Sequence, residues 1–238
     1  MSSVRSLWGN ARTIPLTILN DLELLENISR YADPFQVGWV NTSEIEYITG
    51  REGPNKFAWA DAGLVLEGDW DQTTVRFEEN SEWYEALVDR FVHGKEWENI
   101  SAIQKRIEMV EKGETVMDGR ESIQGVYDRC RLLDKIFKYM SNKGYKEQPI
   151  LEKEGRGNPY NKILPYKNRY HEIAVDVGRN GELLFVDGKH RLSMAKILDI
   201  DRVPVRIVVR HKEFMKKDID LNMDPPVTNY GHPLFPTR

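Results

Sequence analysis

One junction constrains the fold of this chain more than any other feature. A wholly apolar run, Leu183-Leu184-Phe185-Val186, passes through Asp187-Gly188 into an amphipathic stretch from Arg191 to Leu198. A buried strand that turns sharply into a helix leaves the first backbone N–H groups of that helix unpaired and carrying a partial positive charge. Lys189, His190 and Arg191 add three side-chain donors at that point, two of them permanently charged, so phosphate is the ligand to expect there.

The flanking patterns extend the reading. Ile173, Val175 and Val177 alternate with Glu172, Ala174 and Asp176, and Asn180-Gly181 is a pair that tolerates positive φ, which predicts a hairpin returning along Leu183 to Val186. Beyond the helix, Val203, Val205, Ile207 and Val209 alternate on a further strand. The earlier part of the chain has a different period. Ile123, Val126, Tyr127, Cys130, Leu133, Phe137 and Met140 recur at three- and four-residue steps and predict a helix from Ser122 to Asn142, ended by Gly144. Helices are also expected from Ser81 to about His93 before Gly94, from Asn99 to about Lys112 before Gly113, and from Leu16 to Ile28. Asp33-Pro34 and Gly53-Pro54 mark loops, and Gly155 to Asn168 reads as a mobile connection. The expected class is α/β, of the α+β kind: a mainly helical N-terminal portion over 1–145 and a second domain on a small mixed sheet over 146–238.

Composition narrows the setting. With 238 residues, 40% of them apolar, the chain can bury a sizeable core as one large domain or two small ones. No run approaches the roughly 18 apolar residues of a spanning helix, and Met1 to Asn20 holds no uninterrupted apolar stretch, so neither a membrane span nor a secretory signal is expected. A lone Cys130 supports no internal disulfide framework, which agrees with a reducing, cytoplasmic setting. The sequons at Asn27, Asn41 and Asn99 are then chance matches. Net charge is −4, but 16 basic against 25 acidic residues over 1–140 give way to 18 against 13 over 141–238, so the later part is the one suited to anions. That basicity falls well short of a dedicated DNA-binding domain.

From Ile163 to His211, about a fifth of the chain, the residues resemble the ParB/sulfiredoxin fold superfamily, whose members place a short Gly-plus-basic motif at a helix N-terminus after a strand. The resemblance is carried by Asp187-Gly188-Lys189-His190-Arg191 and by Val203-Pro204-Val205-Arg206 downstream. It implies a nucleotide-phosphate pocket, with ATP or another nucleotide and Mg2+, coupled to phosphoryl transfer or hydrolysis. Sulfiredoxins carry a Cys inside the motif; Lys189 stands there instead, so sulfinic acid reduction is not expected. ParB segregation proteins have Gly-Glu-Arg-Arg, and Lys189 occupies the place of that Glu. The motif looks closest to the free-serine kinases of the fold, with their Asp-Gly-His-His-Arg type, although the sequence does not locate the separate catalytic carboxylate those kinases need.

Physically, Gly188 lets the backbone approach phosphate closely, the amides of Lys189 and His190 fall in the first helical turn, and Arg191 can grip two oxygens. Asp187 either caps the helix or serves as a metal ligand or base; His190 either donates a hydrogen bond or acts as acid or base near pH 7. Arg202, Arg206 and Arg210 recur every four residues, about 13 Å apart in succession on a strand. Arg206 and Arg210 either continue the phosphate pocket or, with Arg202, form the charged face of an edge strand or a track for a nucleic-acid backbone. Glu67, Asp69 and Asp71 make an acidic turn or a cation site. Trp59, Trp70, Trp83 and Trp97 are read as core filling, Cys130 as a small buried hydrophobe, and Asn229 to Phe235 as a docked tail. Two other functions stay open: a DNA-associated clamp or nuclease-like protein, against which stands the absence of an obvious helix-turn-helix after residue 211, and a scaffold or virion component without catalysis or nucleotide affinity.

Overall fold

The computed structural model describes residues 32–51, 61–116, 119–156, 171–217 and 220–227. The expected helix at Leu16 to Ile28, the Gly53-Pro54 loop, Trp59, the connection from 157 to 168 and the tail at 229–235 lie outside them. The described residues form β1 (Val37–Asn41), β2 (Tyr47–Ile48), β3 (Leu64–Leu66), β4 (Val75–Arg76), α1 (Phe77–Asn80), α2 (Glu82–Phe91), α3 (Ser101–Glu111), α4 (Ile123–Lys143), α5 (Gln148–Lys153), β5 (Ile173–Val177), β6 (Leu183–Asp187), α6 (Lys189–Ile197), β7 (Arg202–His211) and α7 (Lys212–Lys216). Helices and a mixed sheet place the chain in the α/β class. Two compact units emerge, interleaved along the sequence: a sheet unit of residues up to Phe77, Glu147–Gly188 and those from Asp201, and a helical unit of Glu78–Lys146 with Lys189–Ile200.

In the sheet unit the strand order is β1-β7-β5-β6-β2-β4, with β3 also pairing with β7. β7 runs antiparallel to β1 and parallel to β3 and β5; β5 and β6 form the expected antiparallel hairpin; β2 runs parallel to β6 and antiparallel to β4. The N-terminal portion thus supplies four strands besides helices. β2, β3 and β4 have only two or three residues each, too few for an alternating pattern to register. At the hairpin turn Gly181 alone takes positive φ, +92°, and its N–H donates to the Gly178 carbonyl at 3.1 Å.

β7 was open to reading as an edge strand with a charged outer face. It lies inside the sheet instead, and nine of its ten residues are buried, which parallel neighbours require of a strand covered on both sides. All five residues of β5 are buried as well, so the polar half of its alternation, Asp176 included, faces protein and not water. Asp176 is held by three donors. Thr49 Oγ1 donates at 2.9 Å, Arg51 Nε at 3.0 Å and the Val209 N–H at 3.1 Å. Trp70, Ala174, Leu184, Val186, Val208 and Val209 form an apolar cluster in the same unit, with Tyr47, Leu64 and Leu66 against it.

The helical unit follows the sequence signals closely. Ser81 caps α2 by accepting from the Tyr84 N–H, and Ser122 caps α4 by accepting from the Gly125 N–H. Gly144 ends α4 at φ +68°, its N–H donating to the Met140 carbonyl. Val126, Cys130, Leu133 and Met140 form the buried stripe of α4, and Phe137 stacks on Phe91 with ring centroids 3.7 Å apart. Trp70, Trp83 and Trp97 are all buried, as core filling requires. Cys130 is buried too, and burial pushes its thiol up to about 12. The native protein is therefore expected to resist iodoacetamide at about pH 8, while the denatured chain takes up one equivalent; mass spectrometry of both states checks this.

Candidate functional site

β6 delivers its last residue to the surface. Its pattern is four buried residues followed by exposed Asp187, so the strand that fills the core ends on a carboxylate in water. Gly188 follows with φ +95°, a conformation that side chains other than glycine rarely adopt. Asp187 Oδ1 accepts from the Gly188 N–H at 2.7 Å, which fixes the turn, and Oδ2 lies 4.0 Å from His171 Nε2. Arg206 is the largest fully buried side chain of the sheet unit. Burial pulls its guanidinium down to about 9 against the opposing pull of the Asp187 and Asp176 carboxylates. The register explains that proximity: Asp187 and Arg206 both pair with Ala174, from opposite sides of β5.

In the helical unit, α6 opens on Lys189, His190 and Arg191. His190 sets its ring against Trp83 in a T-shaped contact, centroids 4.4 Å apart. Lys189 Nζ lies 6.0 Å and the Arg106 guanidinium 4.6 Å from the centroid of the same indole. Arg106 donates to Glu82 Oε2 at 2.6 Å, and Arg191 Nη1 to the Tyr145 hydroxyl at 3.3 Å. Burial, together with the charges of Arg129, Lys189, Arg106 and Arg191, holds His190 well below the usual imidazole range. Its Nε2 has no hydrogen-bond partner among the described residues. The first turn of α6 thus gathers Lys189 and Arg191, with Arg106 and Arg129, about His190, an arrangement suited to an anion. A ring held neutral this strongly is a poor general base near pH 7, so hydrogen bonding is the better use of His190.

The remaining sequence candidates separate. Arg202 pairs with Asp224 and donates to the Trp39 carbonyl at 2.7 Å. Arg210 is buried and bonded to Gln36. The acidic turn is matched by cations: Arg179 holds Asp71 at 2.7 Å and Asp69 at 2.8 Å, and Lys212 pairs with Glu67. Among the described residues no cluster of three or more His, Cys, Asp or Glu could hold a metal. Magnesium would find one exposed carboxylate, Asp187, and would depend on phosphate oxygens and water for its other positions, a donor set that metal–nucleotide complexes tolerate.

Trp83, Arg106 and Arg129 are the members that sequence reasoning missed. They stand 61 to 107 residues before His190 on α2, α3 and α4, and nothing in their helical periodicity shows which other helix their faces meet. No family model matches the chain, and comparison with curated proteins and with solved structures gives no significant match. Among the described residues, no helix is long and apolar enough to cross a membrane.

Proposed function

We propose that this chain binds the phosphate groups of a nucleotide, ATP with magnesium, at the first turn of α6, and transfers or hydrolyses the terminal phosphoryl group. One observation carries the reading: at the start of α6, His190, Lys189 and Arg106 meet on the Trp83 indole, and the charges of Arg129, Lys189, Arg106 and Arg191 add to burial, the larger cause, in lowering the His190 imidazole. Positive charge gathered at a helix N-terminus favours a bound polyanion. In this reading the α6 amides and Lys189 hold the phosphate oxygens, Arg191 grips two of them, and His190 contributes a hydrogen bond through Nε2. Asp187 is the proposed magnesium ligand or proton acceptor. Positioning and charge neutralisation are the main chemical demands of phosphoryl transfer, and these side chains can supply both.

Calorimetry with ATP, GTP and CTP in magnesium buffer tests the reading. Lys189→Ala and Arg191→Ala are each expected to weaken binding by about 1.5–3 kcal/mol, the value of a charge-assisted hydrogen bond. Absence of heat with all three nucleotides, or variants that bind as the wild type does, removes the proposal. Duplex DNA at low and high salt serves as the control: tight, steeply salt-dependent binding favours a DNA-associated protein instead.

A further inference from the structure

Among the described residues the sheet unit buries Arg206 and Arg210 and half-buries Arg51, and it treats the three differently. Arg51 is paired with two carboxylates, Asp61 and Asp176. Arg206 lies within the field of Asp187 and Asp176. Arg210, only 4% exposed, donates through Nη2 to the Gln36 side-chain oxygen and, at 3.5 Å, to the Asp33 carbonyl, both neutral acceptors. Its Nη1 has no hydrogen-bond partner among the described residues. Among the described residues Asp33 is the carboxylate acting on it, and that group is turned into its own loop, where Oδ1 accepts from the Phe35 N–H at 2.8 Å. A buried guanidinium without a counter-ion is among the more unfavourable arrangements a core can hold, because desolvation is not repaid by any opposite charge. Burial accordingly draws Arg210 down to about 10, which still leaves it charged at neutral pH.

We propose that Arg210 anchors an oxyanion subsite beneath the loop of residues 32–36, where two oxygens of a small carboxylate or phosphate ligand seat on Nη1 and Nη2 in place of the Gln36 amide. The fork of a guanidinium fits a carboxylate or phosphate with two parallel hydrogen bonds, whereas one amide oxygen satisfies only part of it. Gln36 is half-buried and Asp33 exposed, so the two residues that touch the guanidinium lie toward the surface, and the proposal requires the Gln36 side chain to rotate away as the anion enters. The backbone need not move: the Gln36 carbonyl stays bonded to the Ile207 N–H at 3.1 Å. The subsite uses no residue of the α6 turn and stands or falls separately from the nucleotide reading.

The test compares inorganic phosphate and acetate with chloride at equal ionic strength, following thermal stability and calorimetric binding in the wild type, Arg210→Met and Gln36→Ala. The wild type is expected to gain stability from phosphate or acetate over chloride, the stronger of the two identifying the ligand class. Arg210→Met is expected to bind that anion at least roughly tenfold more weakly. Gln36→Ala, which removes the competing acceptor, is expected to bind it more tightly, and this arm remains decisive should Arg210→Met fail to fold. Equal responses in wild type and Arg210→Met, no response of the wild type to either anion, or unchanged affinity in Gln36→Ala overturns the subsite. In a Lys189→Ala background, which weakens the α6 turn, Arg210→Met is expected to lower anion binding by the same factor as in the wild type, so failure of one site is distinguished from failure of the other.

Discussion

Replacing Arg51 with alanine is expected to destabilise the protein by about 3–5 kcal/mol, because it strands a carboxylate that the sheet has taken wholly out of water. Asp176 has no exposed side-chain surface, and Arg51, itself 11% exposed, is the cation beside it. Burial pushes the Asp176 carboxyl up, and Arg51, Thr49 and the Val209 amide oppose that shift. With Arg51 gone, Asp176 keeps the Thr49 hydroxyl and the Val209 N–H but no bonded cation among the described residues, and must stay buried as an unpaired charge or take up a proton. A loss of this size is a large part of the roughly 5–15 kcal/mol that holds a typical domain together. Urea denaturation measures it. A double replacement, Arg51→Met with Asp176→Asn, is expected to recover part of the loss, since it removes the buried charge while the Asn oxygen can still accept from the Val209 N–H or the Thr49 hydroxyl. A single-variant loss below about 1 kcal/mol would show that Asp176 is already neutral in the native state.

Trp83→Ala is expected to have a comparable effect in the helical unit, about 3–5 kcal/mol, through loss of a large buried ring and the cavity it leaves. Trp83 is 4% exposed and forms the common surface for His190, Arg106 and Lys189, so its removal also changes how protons bind. In the wild type His190 resists protonation that the unfolded chain accepts below its ordinary value of about 6.5. Between that value and its lower native one, the unfolded state therefore binds more protons, and stability falls as the pH is lowered, by at most about 1.4 kcal/mol per pH unit. Above about pH 7.5 the group is neutral in both states and contributes nothing to the slope. Trp83→Ala lets water reach the ring, brings the native value of His190 back toward the ordinary one and flattens this dependence. Denaturation at about pH 5, 6 and 7.5, with an NMR titration of His190, checks both parts. A slope unchanged in Trp83→Ala would show that the surrounding cations, and not burial by the indole, keep His190 neutral.

The local grammar of the chain was legible without coordinates. Ser81, Ser122 and Gly144 set helix ends through bonds made within a few residues, and the hairpin at Asn180-Gly181 and the turn at Gly188 follow from backbone freedom that the sequence states outright. The place of β7 was not legible. Its alternation of valine and arginine is equally consistent with an outer face in water and with an inner one, and the choice depended on β1 and β3, contributed by a portion whose strands are too short to leave a pattern. The carboxylates of the Glu67 to Asp71 turn suggested a cation site because their partners, Arg179 and Lys212, are more than 100 residues away in sequence.

Sequence by itself determined the helices α2, α3, α4 and α6 and the strands β5, β6 and β7, that Cys130 and the tryptophans at 70, 83 and 97 enter a core, and that basic donors gather at one helix start. These outcomes depend on periodicity and on hydrogen bonds between near neighbours. Tertiary structure alone decided that Arg206 and Arg210 are buried, that Trp83, Arg106 and Arg129 surround His190, and that Arg51 and not Arg210 receives carboxylate partners. Burial and the pairing of charges depend on what lies across space, and residues brought together from distant positions leave no local trace of their meeting.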